Sequence, residues 1–203
     1  MVLRLKTDKK TNPDAQFVPE FPTQKIIERY DCGEHAGWLI REFLEIDQQK
    51  ELYNYTTNQI EVNAKPTNCS QLVKWKEIAN SVIELLKSRS DIHFKDFPDN
   101  YVFNSTSVQL FDSDSKHEIE INNDQNDSWC VKVSIGATAE YKFGDKTIFL
   151  NGGDVFLTPK ALHSVQCIYN NVPQWYNDSN IKTYGYTRAE VQIENSTSFE
   201  ETK

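Results

Sequence analysis

The chain has 203 residues, a formal net charge of −8 and a pI near 5.1. This negative charge argues against electrostatic binding of nucleic acid over a broad surface, although a local basic groove is compatible with it. The length and the hydrophobic fraction of 38% suit one domain with a single sizeable core.

The cysteines are far apart in the sequence and form no Cys-x-x-Cys pattern; they are Cys32, Cys69, Cys130 and Cys167. This spacing predicts buried thiols in an intracellular, reducing compartment, not a disulfide framework or a zinc site. No apolar run approaches the roughly 20 residues of a membrane span. Met1–Lys10 has no apolar stretch of the kind found in signal peptides. The choice among cytoplasm, nucleus and organelle stays open.

The chain divides by composition into three parts. Residues 1–24 are polar and interrupted by prolines, which predicts an extended arm on the domain or against a partner. Residues 25–195 form the predicted domain, with a helical first half. Residues 196–203 have the composition of a frayed acidic tail.

The first half of the domain is predicted to contain one strand and two helices. The strand covers residues 37–44 and leads to a helix with Asp47 as its N-cap. A loop is predicted for 59–70. Ser70 then caps the clearest helix, whose apolar residues recur every three or four positions: Leu72, Trp75, Ile78, Ala79, Val82, Ile83 and Leu86. We expect this stripe to pack on a sheet.

From residue 101 onward the sequence changes to a strand pattern. The clearest runs are 129–136, 146–150, 155–159 and 184–193. Gly152-Gly153-Asp154 precedes the third of these, and His163 follows Pro159 by four residues. This order predicts a double-stranded β-helix or jelly-roll barrel with one ligand in its mouth. A β-sandwich with a surface histidine is the alternative.

The order of these pieces resembles the AlkB-like family of 2-oxoglutarate/Fe(II) dioxygenases, over roughly residues 37–193. The resemblance rests on the segments 133–144, 150–155, 163–165 and 188–193, and on 38–44, which is similar to the family's N-terminal strand and helix. It implies an α+β fold, a double-stranded β-helix (jelly-roll) barrel with an N-terminal helical layer. The family holds Fe(II) with two histidines and a carboxylate.

In this sequence the family's metal triad is altered. Counting back from Gly136 places the family's His-x-Asp on Glu120-Ile121-Asn122, and His163 takes the remaining histidine position. Strand alternation puts Glu120 and Asn122 on the face opposite Ile121. A shifted register would use His117, but it would put that histidine on the buried isoleucine face.

The cosubstrate positions are altered as well. The family's Asn-x-Tyr falls on Gln109-Leu110-Phe111, so Phe111 has no hydroxyl to donate. Arg188 matches the first family arginine, which grips the far carboxylate of 2-oxoglutarate, while Glu194 stands at the second. Another alignment places Lys182 and Arg188 on the two arginines.

The altered metal and cosubstrate positions leave three hypotheses for the function. The first is a pseudoenzyme of the dioxygenase class that acts as a binding or assembly module, with protein partners or as a subunit of a larger complex. The second is an active dioxygenase that uses Fe(II) and 2-oxoglutarate to demethylate a nucleic-acid base or a protein side chain. The third is a cupin-like small-molecule or metal binder, because residues 153–163 are similar to the second cupin motif.

Overall fold

The computed structural model describes residues 25–32, 35–63, 73–92, 94, 97–112, 128–159, 163–169, 171–178 and 185–195. The predicted arm (1–24) and tail (196–203), the triad segment 116–122, and residues Ser70, Leu72 and Lys182 lie outside the described residues. In chain order, the described elements are β1 (Ile27–Cys32), β2 (His35–Ile40), α1 (Ile46–Asn63), α2 (Val73–Ser88), β3 (Ser105–Phe111), β4 (Trp129–Gly136), β5 (Ala139–Phe143), β6 (Lys146–Leu150), β7 (Val155–Pro159), β8 (His163–Ile168), a 3-10 helix (Gln174–Asn177) and β9 (Arg188–Glu194).

These strands form a large sheet and a small sheet. The large sheet has the order β1-β2-β7-β4-β9-β3, and the small sheet has the order β6-β5-β8. Neighbouring strands are antiparallel. No closed barrel is seen among the described strands, so the predicted jelly-roll barrel is not confirmed. The helices lie in the first half as predicted, but the β1–β2 hairpin precedes them.

Helix α2 covers the outer face of the large sheet. In its described part, the predicted stripe is buried: Trp75, Ile78, Ala79, Val82 and Leu86 are 0% exposed. They share one core cluster with strand residues such as Val131, Val133 and Val191. The expected packing of this stripe on a sheet is therefore confirmed.

Helix α1 begins slightly earlier than the sequence indicates. Its first residue is Ile46, so Asp47 lies in the first turn and is not the N-cap. The backbone N–H of Glu45 donates to Oε1 of Gln48 at 2.8 Å. This is the side-chain half of a capping box, in which the third helical residue reaches back to the N-cap.

The same helix also ends later than predicted, because it continues to Asn63. The predicted loop over 59–70 is therefore wrong for residues 59–63. Leu52, Tyr53 and Thr57 are nearly fully buried, and Tyr53 donates to the carbonyl of Tyr186 at 3.0 Å. Tertiary contacts thus hold a helix whose sequence has few apolar residues.

The inner face of the large sheet looks toward the small sheet. Side chains alternate along a strand, so Val131, Val133 and Ile135 of β4 face the helices while Lys132 and Ser134 face inward. A second apolar cluster lies between the sheets, formed by Leu39, Phe111, Ala137, Ala139, Tyr141, Phe143, Ile148, Leu150, Phe156 and Ile168. Charged residues are buried beside this cluster.

Candidate functional site: a buried charged cluster between the sheets

The charged cluster comes from two adjacent strands of the large sheet. In β4 the inward residues are Lys132 and Ser134, and in β9 they are Arg188 and Glu190. Register pairs Ser134 with Glu190 and Gly136 with Arg188. The four inward residues are at most 1% exposed: Lys132, Ser134, Arg188 and Glu190.

Glu190 lies between the two cations. Its Oε1 is 2.7 Å from Nζ of Lys132, and its Oε2 is 3.5 Å from Nη2 of Arg188. The ring of Tyr141 covers both cations, with its centroid 5.0 Å from Nζ of Lys132 and 5.9 Å from Cζ of Arg188. Such pairing offsets part of the free-energy cost of burying charged groups in a protein interior.

The guanidinium of Arg188 also joins the two sheets. Its Nη1 donates to Oγ of Ser134 at 2.8 Å, to the carbonyl of Ala137 at 2.6 Å and to the carbonyl of Leu150 at 3.3 Å. Burial lowers the pKa of Arg188 to about 9, and the carboxylate of Asp154 opposes that shift. The group is therefore charged at neutral pH.

The predicted cosubstrate residues are brought together in this region. Phe111 pairs with Arg188 and Gln109 pairs with Glu190 across β3 and β9. Phe111 is 3% exposed and belongs to the apolar cluster between the sheets. Among the described residues, Oε1 of Gln109, Nε of Arg188 and Oε2 of Glu190 are buried without a hydrogen-bond partner.

The predicted metal positions can be followed only in part. The backbone of His163 begins β8 and pairs with Phe143, and Val165 pairs with Tyr141 of the charged cluster. Glu120 and Asn122 are outside the described residues. Within the described part of the chain, no group of three His, Cys, Asp or Glu side chains could hold a metal ion.

A 2-oxoglutarate carboxylate does not fit the cluster as it is arranged. Arg188 already meets a carboxylate of the protein, a serine hydroxyl and two carbonyls. A 2-oxoglutarate carboxylate would have to displace these partners to reach the guanidinium, and a buried carbonyl left without its donor costs free energy.

Sequence reasoning missed Lys132 and Glu190. A signal was present in Cys130-Val131-Lys132-Val133-Ser134-Ile135, where a lysine interrupts a run that is buried on both faces. Arg188-Ala189-Glu190-Val191 carries the same alternation of charge and apolar side chain. Only the register of β4 against β9 puts Lys132 beside Glu190.

Other expectations concern cysteine and membrane association. Cys130 is buried and is not part of a disulfide, as predicted. Within the described residues, no helix is both long and apolar enough to cross a membrane.

Comparison with known proteins gives distant similarities. No model of a known protein family matches the chain. A probable lanosterol 14-alpha demethylase from Acanthamoeba polyphaga mimivirus is 29% identical over 75% of this chain. The chain spans about a quarter, 26%, of that viral protein.

One solved structure shares features with the chain. It is an oxidoreductase of the 2OG-Fe(II) oxygenase family from Burkholderia pseudomallei, with 13% sequence identity and a TM-score of 0.33. The match covers 84% of this chain and 73% of that one. At this TM-score the likeness is remote.

Proposed function

We propose that the chain is a binding or assembly module on an AlkB-like 2-oxoglutarate/Fe(II) dioxygenase scaffold that has lost oxygenase activity. The observation that carries the proposal is the buried triplet of Lys132, Glu190 and Arg188. Its carboxylate is supplied by the protein itself. Both cations therefore already face a carboxylate of the protein.

The use of Arg188 as a brace supports this proposal. Its hydrogen bonds to Ala137 and Leu150 tie the end of β4 to the end of β6. An arginine released to bind a cosubstrate would leave those two carbonyls without this donor. Buried carbonyls without partners cost free energy, so we infer that Arg188 has a structural role here.

Two differences from the family's sequence pattern also support the loss of oxygenase activity. Glu120 and Asn122 stand where the family has a histidine and an aspartate, and a neutral amide with a carboxylate suits Fe(II) less well than imidazole with a carboxylate. Phe111 cannot donate a hydrogen bond. The lanosterol demethylation named for the viral relative does not enter the proposal, because the chain matches only 26% of that protein.

The test is turnover of 2-oxoglutarate. The full chain is incubated with Fe(II), ascorbate and 2-oxoglutarate, and succinate is quantified. The His163→Ala variant sets the background, because it lacks the one triad histidine that the sequence retains. We expect the full chain to release no more succinate than this variant. Isothermal titration with 2-oxoglutarate is expected to show no saturable heat, because the guanidinium of Arg188 already bonds to Ser134, Ala137 and Leu150 and faces Glu190.

Iron-dependent succinate release above that of His163→Ala would overturn the proposal. The chain would then be an active 2-oxoglutarate/Fe(II) dioxygenase, acting on a methylated nucleic-acid base or protein side chain. In that case Fe(II) would be held by His163, Glu120 and Asn122, and 2-oxoglutarate by Arg188 with Gln109 beside it.

A further inference from the structure

A second site is suggested by a cleft outside the charged cluster. It lies where β4 turns into β5, where β6 ends, and where α1 faces the 3-10 helix, and its volume is about 870 Å³. Small-molecule sites commonly have volumes of roughly 300–1,000 Å³. None of Lys132, Ser134, Tyr141, Arg188 and Glu190 lines this cleft.

The wall of the cleft is rich in carboxamides. Five of its lining residues carry one: Gln49, Asn151, Asn171, Gln174 and Asn177. A carboxamide offers two donor hydrogens and one acceptor oxygen. Gln49 is buried and donates to the carbonyl of Leu44, so the exposed members of this set are the ones that face a ligand. Gln174 and Asn177 lie on the exposed 3-10 helix, so their amides are accessible to a ligand.

Part of this wall is held in place by its own hydrogen bonds. The backbone N–H of Thr138 donates to Oδ1 of Asn171 at 2.8 Å, and Nδ2 of Asn171 donates to Oγ1 of Thr138 at 2.6 Å. Oγ1 of Thr138 donates in turn to Oδ1 of Asn151 at 2.9 Å. These bonds leave donor hydrogens on the amide of Asn151, which is exposed at the cleft.

The cleft carries no net charge. Lys50 and Asp178 are its charged lining residues, and their Nζ and Oδ2 atoms are 3.9 Å apart. Phosphates and nucleic acids are bound by groups with excess positive charge. The charge balance of this cleft therefore favours a neutral ligand.

The apolar part of the cleft is small. Ile46, Pro173 and Trp175 supply it, which is too little for the hydrophobic groove that an amphipathic helix needs. Gly136 is the strand residue in the wall, and it pairs with Arg188 inside the large sheet. A peptide strand therefore finds no open sheet edge in this cleft.

We propose that this cleft binds a neutral saccharide. Hydroxyl groups of a sugar donate and accept hydrogen bonds, as the carboxamides do, and the C–H faces of its ring match the small apolar patch. Binding here does not depend on the loss of oxygenase activity, because the cleft and the charged cluster share no residue. The two proposals can therefore fail separately.

The test is an array of neutral oligosaccharides, anionic oligosaccharides and peptides, probed with the full chain and followed by calorimetry on the ligands that bind. We expect saturable binding of a neutral oligosaccharide. The double variant Gln174→Ala/Asn177→Ala should weaken it about tenfold, as expected for the loss of two hydrogen bonds. These exposed side chains can be truncated without disturbing the Thr138 network.

The matched control is Asn80→Ala/Asn100→Ala, which removes two exposed carboxamides away from the cleft. It should bind with unchanged affinity, and both double variants should unfold at the same urea concentration as the parent chain. No saturable binding of any neutral saccharide would overturn the proposal. So would a preference for anionic sugars or peptides, or equal weakening in both double variants.

Discussion

At the scale of single residues, Glu190 determines the chemistry of the space between the sheets. It is 0% exposed and faces both Lys132 and Arg188. Nε2 of Gln192 donates a further hydrogen bond to its Oε1 at 3.2 Å. Removing this carboxylate would leave two buried cations without their counter-charge, which is costly in a protein interior.

We therefore expect Glu190→Gln to lower the free energy of unfolding by about 3–5 kcal/mol. The measurement is urea denaturation at pH 7. Asp99→Asn is the surface control, because Asp99 is 93% exposed and lies 3.3 Å from Lys87. It should cost less than about 1 kcal/mol. Equal effects of the two substitutions would show that the cluster is not buried as described.

At the scale of elements, α2 is the main apolar support of the large sheet. Leu86 and Ile78 are 0% exposed in the core cluster, whereas Asn80 of the same helix is exposed. Helical periodicity alone predicts which face is apolar. The sheet strands that this face contacts are set by tertiary packing.

Leu86→Ala should therefore destabilise the fold by about 2–5 kcal/mol, through lost burial and the cavity that remains. Asn80→Ala on the exposed face of α2 is the control and should change stability by less than about 0.5 kcal/mol. Urea denaturation measures both. A change near zero for Leu86→Ala would contradict the placement of α2 on the large sheet.

At the scale of the whole molecule, an ion-pair network connects the β1–β2 hairpin to Asp154, which directly precedes β7. Nε of Arg41 is 2.8 Å from Oε1 of Glu28, and its Nη1 is 2.8 Å from Oδ2 of Asp154. Asp154 also accepts hydrogen bonds from the backbone N–H groups of Glu42 and Asn151. This network joins segments that are more than 100 residues apart in the chain.

The network makes stability depend on acidic pH. The hydrogen bond from Arg41 lowers the pKa of Glu28 below its usual value of 4.5. As the pH falls, the unfolded chain takes up this proton first. The stability contributed by Glu28 is thus present above the unfolded pKa and is lost as the pH falls through the folded pKa.

We expect Glu28→Gln to lose less stability than the parent chain between pH 7 and pH 3. The measurement is urea denaturation at several pH values in that range. Glu84→Gln, an exposed position on α2, is the control and should follow the parent curve. Parallel curves for Glu28→Gln and the parent chain would show that the pKa of Glu28 is not lowered by folding.

Much of the local structure was determined by the sequence itself. The three- and four-residue spacing from Leu72 to Leu86 predicts α2 and its buried face, and the strand runs at 129–136, 146–150 and 155–159 match β4, β6 and β7. These features follow from local periodicity, which can be recognised within a short segment of the sequence. The end of α1 at Asn63 was missed, and so was the burial of Tyr53 against Tyr186, which comes from a distant segment.

Only the tertiary structure decided how the strands assemble and what the site contains. The register of β4 against β9 places Lys132 against Glu190, and no local pattern fixes a register between strands that are some 50 residues apart. The resemblance predicted Arg188 as a cosubstrate ligand. Its bonds to Ala137 and Leu150, which tie the two sheets together, depend on the packing of the small sheet over the large one.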